Sequence, residues 1–297
     1  MPLVKLLISA ALVWWCLRVV DVSQLLATLG SIHVAALAAC LACMIGHTAL
    51  CAWRWHLVCR SLGLGGPEPR DALRWMALSV MLSQVLPSTV GGDAYRVGAL
   101  ARHEGFGAAM RSVILDRVTG LWMLAVLGGA ASVVTVWIAG WVPEIVAVGV
   151  LVFTFVVAVP AAAALGRKRY VKWRALTEEA GALWMMLRLP KVLATSIGIH
   201  FMTVAAVIAL SMGLQPGGAL WWQMALLTPA AMLAAAIPVS LGGWGVREAA
   251  LVVGAAAFGI PQSEALAVSV AYGVMLLCTG ALGTLLWAGL PARVATT

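Results

Sequence analysis

Stretches of this chain that run for 20 residues or more without a charged side chain include residues 34–53, 118–143, 192–214, 219–246 and 265–292. Each is near or above the roughly 20 residues that a helix needs to cross the hydrocarbon core of a bilayer. In lipid every backbone N–H and C=O must find a partner inside the protein, so uninterrupted apolar runs of this length predict spanning helices. The fold class expected is therefore all-α, a polytopic membrane helix bundle. Composition agrees, with 63% hydrophobic and 10% charged residues among 297 and a mean hydropathy of +1.01. A soluble globular domain, a disordered tail, a basic nucleic-acid-binding domain and a disulfide scaffold are all excluded. The net charge of +8 reads as topology, and no nucleic-acid partner is expected.

Five of the six cysteines (Cys16, Cys40, Cys43, Cys51 and Cys278) fall inside apolar stretches, and Cys59 ends one, which marks them as buried free thiols. Cys43, His47 and Cys51 share one helical face and could hold a soft metal, but no carboxylate or second ligand cluster completes a site. No metal and no cofactor are expected. His47 and His200, midway along apolar helices, read as packing residues.

Basic residues set the expected topology. With Lys5 inside, residues 6–20 cross out and 34–53 return, which places Arg54, Arg60, Arg70 and Arg74 on the cytoplasmic side. The apolar arm 75–86 has only 12 residues, about 18 Å of helix against a core of roughly 30 Å, and it ends in Pro87 and a glycine pair. It is expected to dip in and turn back. Residues 118–138 then cross out, 145–165 return, and a cytoplasmic basic loop with an amphipathic helix follows over 166–191. Residues 192–214 cross out, 219–258 form a second interrupted arm, and 265–288 cross in. The resulting expectation is about six full spans plus two re-entrant helical hairpins in one transmembrane domain, 1–297, with both termini cytoplasmic. Fourteen tryptophans, many near span ends, read as interfacial belts.

The two interrupted arms match each other. Pro87-Ser88-Thr89-Val90-Gly91-Gly92-Asp93-Ala94-Tyr95-Arg96 aligns without gaps to Pro238-Val239-Ser240-Leu241-Gly242-Gly243-Trp244-Gly245-Val246-Arg247. The pattern P-x-[ST]-[VL]-G-G-x-x-x-R recurs at an offset of 151 residues, about half the chain. Pseudo-repeats over about 1–140 and 141–297 follow, and the topology above relates them by an inverted twofold, an architecture common among secondary transporters. Proline ends the entering helix and the glycines permit a tight reversal. Ser88, Thr89 and Ser240 can satisfy the freed backbone, and such a turn should line a cavity. Arg96 and Arg247, near helix N-termini, suit an anion such as phosphate. Alternatively, the glycines serve close helix packing and the arginines are neutralised by Asp93 and Glu248. Asp116, Arg117 and Glu264 are secondary candidates, read equally as interfacial anchors.

These strings, together with Ser112-Val113-Ile114-Leu115-Asp116-Arg117 and the continuation Glu248-Ala249-Ala250, resemble the lysylphosphatidylglycerol synthase transmembrane region family, also called flippase-like. The resemblance covers essentially the whole chain. It implies a polytopic bacterial inner-membrane protein that moves a lipid or lipid-linked group between leaflets. Arg96, Asp93, Arg247 and Glu248 would line the headgroup path, while Gly91, Gly92, Gly242 and Gly243 form the re-entrant turns. Relatives fused to a soluble aminoacyl-transferase domain also make the lipid. Ending at Thr297, this chain is expected to be the translocator half alone. Cargoes in the family include aminoacyl phospholipids, polyprenyl-linked sugars and hopanoid-related lipids.

The function expected is a flippase- or scramblase-like translocator of a phospholipid or polyprenyl-phosphate-linked anionic cargo, with no nucleotide-binding loop to power it. One alternative is an integral-membrane enzyme acting on a lipid phosphate, in which Asp93, Asp116 or Glu248 serves as acid, base or metal ligand. No catalytic motif supports it. The other is a non-transporting scaffold subunit. The small-residue face Ala35, Ala38, Ala39 and Ala42 suits a homo-oligomer or internal packing equally.

Overall fold

The computed structural model describes residues 2–86, 90–139, 181, 189–214, 220–237 and 239–288. Helices account for almost all of these residues: α1 (Pro2–Val19), α2 (Val22–Ser31), α3 (Val34–Ser61), α4 (Pro69–Val85), α5 (Val90–Glu104), α6 (Phe106–Ala139), α7 (Pro190–Leu214), α8 (Leu220–Ala236), α9 (Val246–Ala257) and α10 (Gln262–Ala288). Among the described residues there is no strand. Four helices are long and apolar enough to cross a membrane (α3, α6, α7 and α10), and α1 with α2 makes a fifth if that pair, bent by 92°, is one broken span. The span expected at 145–165, the turn at 215–218 and the amphipathic helix expected within 166–191 lie outside the described residues, apart from residues 181 and 189–191.

Three boundaries differ from the sequence reading, each for a local reason. The bend after α1 is set by Asp21, whose carboxylate caps α2 by accepting from the backbone N–H of Ser23 at 2.8 Å and of Gln24 at 3.3 Å. Helix α4 begins at Pro69 and has 17 residues, not the 12 of the apolar arm, because proline is favoured at a first helical position and Arg70, Asp71 and Arg74 are good helix residues at an exposed start. Helix α3 runs on to Ser61 without a breaker, so Arg54 is not in a cytoplasmic loop: it lies inside the helix with 6% of its surface exposed.

The helix succession repeats. Helices α4 and α8 both have 17 residues and start at positions 69 and 220, the same offset that separates the two motif copies. In this sense α3, α4, α5 and α6 correspond to α7, α8, α9 and α10. The packing obeys the same exchange: α4 packs on α10 as α8 packs on α6, α3 on α4 as α7 on α8, α4 on α5 as α8 on α9, and α5 on α6 as α9 on α10. Helices α3 and α7 pack on each other, antiparallel. Gly213 of α7 faces Ala36 of α3, Met202 faces Gly46, and Gly198 faces Leu50.

Apolar side chains gain little by leaving one hydrocarbon medium for another, so close backbone approach and polar contacts must hold such a bundle. Helix α10 approaches α4 at Gly280, where a Cβ would lie 2.9 Å from the backbone of Met81, and at Gly283, against Ala77. By contrast a Cβ at Gly98, in α5, meets nothing within 4 Å. Gly280→Ala should therefore overpack the α4–α10 contact and cost about 1–3 kcal/mol. Gly98→Ala should be neutral or gain up to about 1 kcal/mol from helix propensity. Thermal unfolding of the two variants in detergent checks both, with the lower midpoint expected for Gly280→Ala.

Candidate functional site: two buried arginine clusters

The glycine pair acts differently in the two motif copies. In the first, Gly91 and Gly92 lie inside the first turn of α5, and a Cβ on Gly92 would overlap the Ser79 carbonyl and the Ser83 hydroxyl of α4. These glycines lie within helix α5 and let it pack against α4. Pro87, Ser88 and Thr89 are outside the described residues, as is Pro238. In the second copy Gly242 and Gly243 do form the turn, with φ of 55° and 83°, a backbone region that side chains disfavour. There a Cβ on Gly242 would lie 3.0 Å from the Ser83 carbonyl and 3.4 Å from Oε1 of Gln84. The second turn thus rests on the end of α4, and Ser9 of α1 secures it by accepting from the Leu241 N–H at 2.8 Å. Ser240 is fully buried beside it, and its hydroxyl has no hydrogen-bond partner.

Arg96 is the seventh residue of α5, nearly two turns in, and is buried, with 2% of its surface exposed. Asp93, three residues earlier on the same face, accepts from its Nη2 at 2.5 Å. Asp116 of α6 accepts from Nη1 at 2.9 Å, and its other oxygen accepts from Nε of Arg54 at 2.8 Å. The second oxygen of Asp93 accepts from Nε of Arg117 at 2.7 Å. A chain of alternating charge therefore runs Arg54–Asp116–Arg96–Asp93–Arg117 across α3, α5 and α6. The guanidinium of Arg96 also lies 5.0 Å from the ring centre of Trp55, whose indole N–H donates to Ser112 at 3.3 Å. Asp116, expected as a secondary residue, is the hub of this chain, with both oxygens bonded to guanidinium groups. Arg54 was missed as a site residue. The signal for it was the absence of any helix breaker between Trp53 and Ser61.

Arg247 occupies the matching position of the second copy but is neutralised from the other side. Glu248 takes Nη2 at 2.6 Å and Nε at 3.0 Å on one oxygen, while its other oxygen accepts the Gly245 N–H at 2.7 Å and so caps α9. Ser269 of α10 donates to the same Glu248 at 2.9 Å. Trp244, at the position of Asp93, places its ring 5.0 Å from the guanidinium, and Tyr272 places its own at 5.2 Å. Glu264 is half-buried in the first turn of α10. Among the described residues no three His, Cys, Asp or Glu side chains gather into a group that could hold a metal.

Removing one partner from a fully buried ion pair leaves an uncompensated charge in a low-dielectric interior, a loss of about 3–5 kcal/mol. Asp116→Asn should lose that much, since it strands Arg54 and leaves Arg96 with Asp93 as its remaining carboxylate. Arg117→Gln should cost under about 1 kcal/mol, because the Arg117 side chain is 47% exposed. Chemical denaturation of the two variants in matched micelles tests the difference.

No curated protein and no solved structure matches the chain. The model of one family, the lysylphosphatidylglycerol synthase TM region, matches residues 3–283. With its membrane-spanning helices and its two buried arginine clusters, the chain belongs to that family of lipid-handling membrane proteins.

Proposed function

We propose that this protein is a lipid translocator of the flippase or scramblase kind, which moves a phospholipid or a lipid-linked anionic headgroup between leaflets without enzymatic turnover. The observation that carries the reading is the pair of buried arginines at equivalent positions of two motif copies. Buried charge is expensive in a membrane protein and is kept where ions or polar substrates pass. The helix packing supports an inverted repeat. Equivalent helices related by a twofold along the membrane normal would be parallel, whereas α3 and α7 are antiparallel, as an axis in the membrane plane requires. Two inverted halves give two arrangements of similar energy, one open to each leaflet, with α4–α5 and α8–α9 as the re-entrant arms.

In this reading the ion pairs are locks. Arg96 held by Asp93 and Asp116, and Arg247 held by Glu248, exchange a carboxylate for the phosphate of the cargo as each side opens. Both oxygens of Asp116 and of Glu248 are already engaged, which favours such an exchange over an acid or base role on a lipid phosphate. The setting is a bacterial inner membrane, with both termini cytoplasmic and membrane lipids as partners. A homo-oligomer is compatible with the exposed face of α3 at Ala35, Ala38, Ala39 and Ala42.

Liposomes containing purified protein and fluorescent anionic phospholipid test the proposal. Wild type should speed leaflet exchange, and Arg96→Ala and Arg247→Ala should each slow it at least tenfold while still inserting. Exchange that is unchanged in both variants would sink the proposal.

A further inference from the structure

Helices α6, α7 and α8 leave a groove of about 230 Å³ between them, lined by Leu124, Phe201, Val204 and Met232 and by the imidazole of His200. Pro229, a proline inside α8 that lacks the N–H of the ladder, is among its lining residues. The groove is apolar and lies along α6 and α7, two helices long and apolar enough to cross a membrane.

His200 connects the groove to the first arginine cluster. Its Nε2 donates to the carbonyl of Gly120 at 3.1 Å. Gly120 is the notch that holds Arg54, since a Cβ there would lie 2.8 Å from Nη1 and 2.9 Å from Nη2 of that guanidinium. Arg54 is buried and spends its Nε on Asp116, yet its Nη1 has no hydrogen-bond partner. Arg96, which shares Asp116 with Arg54, has its Nε buried without a partner too. Both can donate. Buried cationic donors left over around one carboxylate call for a further acceptor.

We propose that this groove and the Arg54 end of the cluster form one lipid-binding site, in which the groove takes an acyl chain and Arg54, with Arg96, takes a phosphate oxygen. The proposal rests on the transport reading for its cargo and deepens it by making the halves unequal. The first-half cluster has unused donors on Arg54 and Arg96, whereas Nε and Nη2 of Arg247 are both bonded. Arg54 is the added recognition residue, Gly120 its positioning residue, and His200 the partition between chain and headgroup.

Binding of short-chain phosphatidylglycerol and of inorganic phosphate to the full chain in detergent, followed by native mass spectrometry, tests the site without requiring transport. Wild type should bind the lipid at least tenfold more tightly than phosphate. Arg54→Gln, Gly120→Ala and the groove-filling Val204→Trp should each weaken lipid binding tenfold or more, and Arg18→Gln should not. Arg54→Lys keeps the charge but loses the planar fork, so it should recover only part of the affinity. Because Arg54→Gln takes one of the two guanidinium partners from Asp116, the neutral pair Arg54→Gln with Asp116→Asn is the check on folding. It should regain thermal stability yet still fail to bind. Equal affinity for phosphate and lipid would overturn the groove assignment, and lipid binding that survives Arg54→Gln would overturn the site. Arg54-dependent binding without leaflet exchange would uphold the site and sink the transport reading.

Discussion

A guanidinium group cannot be left unpaired inside a membrane protein, and much of this structure follows from how three of them are neutralised. Asp116 is the most constrained residue in that scheme. One of its oxygens holds Arg54 of α3 and the other holds Arg96 of α5, so a single carboxylate on α6 ties together three helices that share no stretch of sequence. In water such a bridge would be worth little, because the solvent competes for every charge. In a low-dielectric interior the alternative to pairing is a stranded charge, and the bridge therefore specifies helix position strongly.

The two motif copies give different answers to the same problem. Arg96 is bonded by a carboxylate three residues earlier and by one from another helix. Arg247 is bonded by its immediate neighbour, with Trp244 standing where Asp93 stands in the first copy. Glu248 also caps α9, so the second pair belongs to its own helix end and the first to the contact between helices. The glycines diverge in parallel. In one copy they bring α5 against α4, and in the other they make the turn. A repeat in sequence has thus kept its arginine and changed the means of holding it.

Packing between the helices follows from the solvent. Lipid tails are as apolar as leucine, so the contacts that matter are those where a missing side chain lets backbones come close, as at Gly280 against Met81 and Gly213 against Ala36. Polar contacts cluster on the inner faces of the same helices. The groove beside His200 is apolar, and His200 links it through the Gly120 carbonyl to the helix segment that Arg54 packs against.

Much of this was legible in the sequence for a simple reason. Runs of 20 or more uncharged residues have one stable form in a bilayer, so helices α3, α6, α7 and α10 were readable from periodless apolar content alone, and the 151-residue offset of the motif foretold that α4 and α8 would match. The pairing of Arg96 with Asp93 and of Arg247 with Glu248 was weighed from spacing, since neighbours in sequence are neighbours on a helix. What the sequence by itself could not supply was the partner of Asp116. Arg54 lies 62 positions away, and its charge placed it beyond the end of the span, because a charge inside a span is tolerated only when another helix delivers its counter-charge. Which helix does so is decided by how α3, α5 and α6 pack. For the same reason the groove and its link to Arg54 through His200 and Gly120 belong to the tertiary structure alone: they are made of surfaces that only meet once the bundle has closed.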